Sequence, residues 1–196
     1  MSQAFAKWYD FFMYPLEQGK FKNIRTKLLQ KSYGKVIEIG SGSGVNFPLY
    51  EKVESVTAIE PSPYMIERSK KNMYDASVPI EIIQSSAEKL PYNDDTFDTV
   101  VATLVFCTIP DTQRAIKEIK RICKPNGKIL LFEHVRMDNP FLARLQQKLT
   151  PYWSKICDGC QLDRETVHTF TTDSFHLVEM NRYYNGLFVT LELELK

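Results

Sequence analysis

The residue types best suited to chemistry are concentrated in Glu38-Ile39-Gly40-Ser41-Gly42-Ser43-Gly44, directly after the apolar pair Val36-Ile37. Glycines at alternate positions let the chain turn through left-handed backbone and bring N–H groups close to a ligand at the start of a helix. The spacing narrows the choice of ligand. A dinucleotide fingerprint, G-x-G-x-x-G, would need its third glycine where Val45 stands. A second acid, Glu60, lies 20 residues beyond Gly40, at the end of the next apolar run. The two oxygens of a carboxylate there can accept from both hydroxyls of a ribose. The plainer reading of Glu60 is an exposed acid at a strand end.

These residues need a scaffold that brings strand ends together. Lys35–Ile39 reads as a strand, Val45–Tyr50 as a short helix and Ser55–Glu60 as a second strand. Ser62-Pro63 has the pattern of an N-cap with proline at the first helical position, opening a helix to about Asn72. Pro79–Ile83 is a third strand, and the nearly all-apolar Phe97–Leu104 fits a central strand buried on both faces. Asp111 caps a helix carrying Ala115, Ile116, Ile119 and Ile122 at helical spacing. Pro125-Asn126-Gly127 reads as a turn before a fifth strand, Lys128–Val135. Phe141–Leu149 is amphipathic and Glu165–Phe170 reads as a helical turn. Phe175–Tyr184 and Leu187–Leu195 flank Asn185-Gly186, a strong hairpin signal. Alternating strands and helices imply an α/β, doubly wound and mostly parallel sheet with helices on both faces.

Composition excludes several classes. The chain has 196 residues, 43% of them hydrophobic and 25% charged, which suits one domain. A formal net charge of +1 gives no electrostatic reason to expect nucleic acid. No apolar run approaches the length of a membrane span. The aromatic N-terminus is interrupted by Lys7 and Asp10 and does not read as a signal peptide, so a cytoplasmic location is expected. The four cysteines, Cys107, Cys123, Cys157 and Cys160, are then expected reduced. Cys157 and Cys160 have C-x-x-C spacing, but no second pair of ligands follows at similar spacing, so no metal is expected.

Ligands of open parallel sheets sit beyond the carboxyl ends of the strands, which makes those ends worth reading in turn. After the third strand comes Ser85-Ser86-Ala87-Glu88-Lys89-Leu90-Pro91, and Asn93-Asp94-Asp95-Thr96-Phe97-Asp98 leads into the fourth. The fourth runs out through Thr103-Leu104-Val105-Phe106-Cys107, and the fifth ends in Glu133-His134-Val135. Together with Glu38-x-Gly40-x-Gly42-x-Gly44 and Glu60, these segments resemble the class I S-adenosylmethionine (SAM) dependent methyltransferases. The resemblance covers about Lys35 to Val135. It implies a Rossmann-like seven-stranded sheet closed by a C-terminal antiparallel hairpin, with SAM as cofactor and S-adenosylhomocysteine as product. It places Glu38, Gly40, Ser41, Gly42, Asn46, Glu60, Pro61, Ser86, Ala87, Thr103 and Leu104 around the cofactor. Ser86 stands where many members carry Asp, which leaves the Ala87 N–H to serve the adenine. A carboxylate at Glu38 can meet the cofactor's ammonium or pin the glycine loop.

A narrower resemblance adds Asp158-Gly159-Cys160-x-Leu162-x-Arg164-Glu165 to the Cys107 and His134 segments. Together these look like the methyltransferase-like family that contains the alkyl thiol methyltransferases, with bacterial relatives of phospholipid or ubiquinone type. It implies a small-molecule acceptor, with a thiol as one candidate and a phospholipid or quinol as another. His134 and Asp158 are the candidates for orienting or deprotonating it. Cys107 either faces the substrate or is a buried small hydrophobe. The hydrophobic anchor of the mammalian members is missing, so no stable membrane anchor is expected. Residues 1–30 are read as an N-terminal helical lid over a domain spanning 31–196, with Tyr9 on the cofactor and Phe12 on the acceptor. An ordinary helix packed on the sheet is the alternative. A SAM- or nucleotide-binding module without catalysis is the rival from another class. Nucleic-acid methylation is disfavoured, because no Asn/Asp-Pro-Pro-aromatic segment follows the fourth strand and no basic run is present.

Overall fold

The computed structural model describes residues 19–157, 159–172 and 175–195. Seven strands form one sheet: β1 Lys35–Ile39, β2 Ser55–Ile59, β3 Ile80–Ile83, β4 Phe97–Thr103, β5 Cys123–His134, β6 Phe175–Tyr183 and β7 Phe188–Leu195. Their spatial order is β3-β2-β1-β4-β5-β7-β6. β1 to β5 pair in parallel, whereas β7 runs antiparallel to both β5 and β6. The strand order reverses between β1 and β4, so the crevice beyond their carboxyl ends is the switch point where such sheets take ligands. The hairpin between β6 and β7 turns through Tyr184, Asn185 and Gly186, all at positive φ.

Five α-helices complete the described chain: α1 Lys20–Leu29, α2 Pro63–Tyr74, α3 Thr112–Ile122, α4 Pro140–Ile156 and α5 Thr166–Thr171. Local chemistry sets their starts. Ser62 Oγ accepts from Met65 N ahead of Pro63 in α2, and Asp111 accepts from Arg114 N in α3. Apolar layers cover both faces of the sheet. On one, Ala115, Ile116, Ile119 and Ile122 of α3 pack with Ile37, Val100 and Leu131. On the other, Phe21, Ile24, Leu28 and Leu29 of α1 pack with Val36, Val101 and Phe132. The residues Lys20–Leu29 of the expected lid segment thus join the core, and residues 1–18 lie outside the described residues.

Three expectations change. The helix expected over Val45–Tyr50 is only a 3₁₀ turn, Phe47–Leu49. Gly44 at φ +74° and Pro48, which has no N–H, favour i→i+3 bonds, seen from Phe47 N to Gly44 O and from Leu49 N to Asn46 O. The Pro125-Asn126-Gly127 turn lies inside β5 as a bulge, with Asn126 at φ 61° and the register against β4 shifting between Phe97 and Thr99. The amphipathic segment Phe141–Leu149 is part of a longer helix that continues through Pro151 to Ile156. Asn139 caps it through Phe141 N and Leu142 N. Its outer face leaves Phe141, Leu145, Leu149, Tyr152 and Ile156 exposed. Among the described residues, no helix is long and apolar enough to cross a membrane.

Phe132 is fully buried, edge-on to Phe21 at 5.2 Å between ring centroids. Phe132→Ala is expected to destabilise the protein by about 3–5 kcal/mol, read from the denaturant midpoint. Tyr74→Ala, at a side chain 90% exposed, should move it by less than about 0.5 kcal/mol.

Candidate active site

The turn after β1 is built to bring backbone close to something. Gly40 and Gly42 have φ values of +65° and +56°, which disfavour any side chain. They differ in what surrounds them. A Cβ on Gly40 would lie 2.2 Å from Val105 Cγ2, whereas one on Gly42 would meet only Met65 Cε, at 3.6 Å. Gly40 therefore seats the loop against the exit of β4, and Gly42 presents a bare backbone. Ser41 Oγ beside it is buried without a partner among the described residues. Glu60 anchors the other side of the loop, accepting from Gly42 N at 3.0 Å and from Ser62 N at 2.9 Å. A carboxylate has about four acceptor positions, and these two bonds take one on each oxygen.

Beneath the loop lies a buried polar network. Arg25 of α1 is only 4% exposed and donates to Asn46 Oδ1 at 3.1 Å and Thr103 Oγ1 at 2.6 Å. Asn46 Nδ2 donates to Glu38 Oε1 at 2.9 Å and to Thr103 Oγ1 at 3.0 Å. Tyr50 OH donates to Glu38 Oε2 at 2.8 Å. Glu38 thus pins the glycine loop, and Asn46 is turned wholly inward. Thr103 belongs to the same network. The next residue, Leu104, takes φ 55°, a costly conformation for a branched side chain, held by its N–H to Phe132 O at 2.7 Å.

A second group assembles at the ends of β4 and β5. Glu133 Oε1 accepts from Val105 N and Phe106 N and fixes the loop leaving β4. Cys107 lies on that loop, buried, with Gln161 N donating to its carbonyl at 3.0 Å. His134 Nε2 is 3.1 Å from Cys160 Sγ. The ligand atoms of Cys107, His134 and Cys160 all lie within 4.8 Å of one another. Contact with Cys107 and His134 lowers the Cys160 thiol below its ordinary value, and the same contact together with burial raises Cys107. Burial acts to lower His134, but the Cys160 sulfur outweighs it and raises the imidazole. Gln146 of α4 donates to Val135 O and Leu162 O, and so holds the Cys160 loop against β5.

The remaining sequence candidates divide cleanly. Ala87 is buried against the core, whereas Ser86 and Pro61 are exposed at the same end of the sheet. Tyr9, Phe12 and Asp158 lie outside the described residues. Arg25 and Tyr50 were missed. Arg25 shares a helical stripe with Phe21, Ile24, Leu28 and Leu29, and a charge on such a stripe is the signal that marks it.

Comparison with known proteins agrees with this geometry. Residues 37–131 match the family model of the methyltransferase domain. A phosphatidylethanolamine N-methyltransferase from Cereibacter sphaeroides is 28% identical over 156 residues, 78% of this chain and 76% of that protein. The thiol S-methyltransferase TMT1B of Homo sapiens is 31% identical over 162 residues, 80% of this chain and 66% of its own length. A solved SAM-dependent methyltransferase from Thermotoga maritima, described as a possible histamine N-methyltransferase, superposes with a TM-score of 0.69 at 22% identity, covering 97% of this chain and 95% of that one. The chain belongs to the class I SAM-dependent methyltransferases, and SAM is its methyl donor. The dinucleotide-enzyme reading falls away.

Burial lifts the Glu38 carboxyl from 4.5 to about 7, against the opposing pull of Tyr50, Asn46 and Arg25. The folded protein therefore keeps a proton that the unfolded chain releases. The resulting stability is complete below the ordinary value and is lost as pH rises through about 7. Between about pH 5 and 8 this change amounts to roughly 2–3 kcal/mol. Glu133, also lifted to about 7 by burial, contributes a slope of the same sign in wild type and variant alike. Urea titrations at several pH values should show a flatter dependence in Glu38→Gln by about that amount. An unchanged slope would contradict the assignment.

Proposed function

We propose that the protein transfers the methyl group of SAM to the sulfur of a small thiol. The observation that carries this reading is the seating of Val105 against Gly40. It sets the loop that bears Cys107 directly beside the glycine turn, so the cofactor loop and the sulfur-rich end of β4 and β5 form one site. The human relative's name, thiol S-methyltransferase, supports the same acceptor.

The bare backbone at Gly42 and the unpartnered Ser41 Oγ suit the methionine part of SAM. Glu60 suits the ribose hydroxyls, and Ala87 with Ser86 the adenine. Thr103, the last residue of β4, and Leu104 after it line the cofactor. Gly40, Asn46 and Glu38 act by shaping the loop. When bound, SAM supplies a methyl on a sulfonium: a bond forms from acceptor sulfur to methyl carbon, the methyl–sulfonium bond breaks, and a thioether and S-adenosylhomocysteine result. The acceptor must lose one proton to attack. An ordinary thiol titrates near 8.5, so a modest bias toward thiolate suffices, and the groups at the His134 end of β5 supply it. Tyr9 is assigned to the cofactor, Phe12 to the acceptor and Asp158 to the acceptor's proton as roles alone, since all three lie outside the described residues.

One observation favours a second reading. The exposed apolar face of α4, with Phe141 74% and Tyr152 70% exposed, suits contact with a lipid surface. The bacterial relative is named for a phospholipid amine.

An acceptor panel with methyl-labelled SAM, spanning small thiols, phenols, quinols, amines and phosphatidylethanolamine vesicles, separates the two. Labelled thioether from thiols is the expected product, with turnover reduced about tenfold or more in Phe12→Ala, as expected when positioning is lost. Label confined to the vesicles would overturn the thiol reading.

A further inference from the structure

We infer that Cys107, His134 and Cys160 form a three-ligand site for a thiophilic divalent metal of the zinc type, its fourth position open to the acceptor sulfur. The role of the fourth position rests on the thiol reading above; the metal site rests on geometry alone.

Three separate pieces of chain deliver the ligands: the loop leaving β4, the last residue of β5, and the loop following α4. Their ligand atoms lie within 4.8 Å of one another, with His134 Nε2 and Cys160 Sγ 3.1 Å apart. Tetrahedral zinc, with Zn–S of about 2.3 Å and Zn–N of about 2.0–2.1 Å, spaces its ligand atoms roughly 3.4–3.8 Å apart. Small side-chain rotations therefore close the site. Thiolate and imidazole ligands select zinc over magnesium or calcium. Three protein ligands with one open position is the composition of catalytic zinc rather than structural zinc. Cys157, the other half of the C-x-x-C pair, is not part of the group.

The surroundings hold the ligands in place. Gln161 N on Cys107 O joins the two cysteine loops directly. Gln146 spans Val135 O and Leu162 O, and Arg164 Nη2 donates to Ile109 O. His134 turns Nε2 toward the Cys160 sulfur, and its Nδ1 is buried with no partner among the described residues.

Binding a divalent ion leaves both cysteines as thiolates and His134 neutral, with the displaced protons released to solvent, and the ion with its two thiolates is neutral overall. An acceptor thiol entering the fourth position loses its proton to solvent and stays a nucleophilic thiolate at neutral pH. Once methylated it is a thioether, a weaker ligand, and it leaves. The metal thus provides, by direct ligation of the acceptor sulfur, the bias toward thiolate that the transfer needs.

The test uses the full chain, reduced and freed of metal by chelation, then titrated with Co²⁺ without oxygen. One equivalent should bind with sulfur-to-cobalt charge-transfer absorption and the intense visible bands of a four-coordinate ion. Cys107→Ser and Cys160→Ser should each lose that spectrum, and Cys157→Ser should keep it. A small thiol should shift the visible bands. A six-coordinate spectrum without sulfur ligation, or a Cys107–Cys160 disulfide that persists under reducing conditions, would overturn the site. Thiol methylation undiminished after chelation would overturn the inference and leave the proposed function standing. A sulfur-ligated cobalt spectrum that no thiol perturbs, in a protein that methylates no thiol, would overturn the fourth-position role together with the thiol reading.

Discussion

A guanidinium buried under a parallel sheet must be answered by acceptors, and the arrangement that answers Arg25 determines where the glycine loop can lie. Asn46 and Thr103 both accept from its Nη1, and Asn46 passes the connection on to Glu38. Four elements meet there: α1, β1, the 3₁₀ turn and β4. Taking such charges out of water costs several kcal/mol per ion before pairing, so the network tolerates little rearrangement. Its stability contribution need be no greater than that of an apolar core. What it provides is a defined position for the turn between Gly40 and Gly44, since moving that turn would break the hydrogen bonds of Asn46 to Arg25, Glu38 and Thr103.

The acceptor side is organised by the same kind of constraint. Glu133 holds the N–H groups of Val105 and Phe106, and Leu104 is kept at positive φ between them and the network. Strain retained at that point, where β4 leaves the sheet, sets the direction of the loop that carries Cys107. The contact between Val105 and Gly40 then joins the two halves of the site. Fold alone would not reveal this, because solved structures share this architecture at identities as low as 22% and 13%. Acceptor chemistry belongs to the loops at the ends of β4 and β5 and to the segment after α4.

The strands, the caps at Ser62 and Asp111 and the hairpin at Asn185-Gly186 were legible because each rests on neighbours in sequence. Period-2 and period-3.6 patterns survive burial, and a cap needs only three residues. The 3₁₀ turn reads as a helix from its apolar residues, whereas Pro48, which has no N–H to donate, holds it to one short turn. The glycine loop and Glu60 were legible from spacing. The roles of Glu38 and Asn46 were not, since Arg25 and Tyr50 reach them only through the tertiary fold. The cluster of Cys107, His134 and Cys160 was invisible for the same reason. In sequence, metal-ligand spacing is visible only at the C-x-x-C pair, but the structure takes one cysteine from that pair and its companions from two other elements.

The dependence of cofactor binding on the buried network is best tested by calorimetry of SAM against wild type and Asn46→Ala, at a temperature where circular dichroism shows both folded. Asn46 has no exposed surface, so it acts on SAM only through the loop it holds. The account predicts a dissociation constant raised by about tenfold or more, equivalent to roughly 1.4 kcal/mol. A folded variant that binds SAM as tightly as wild type would contradict it.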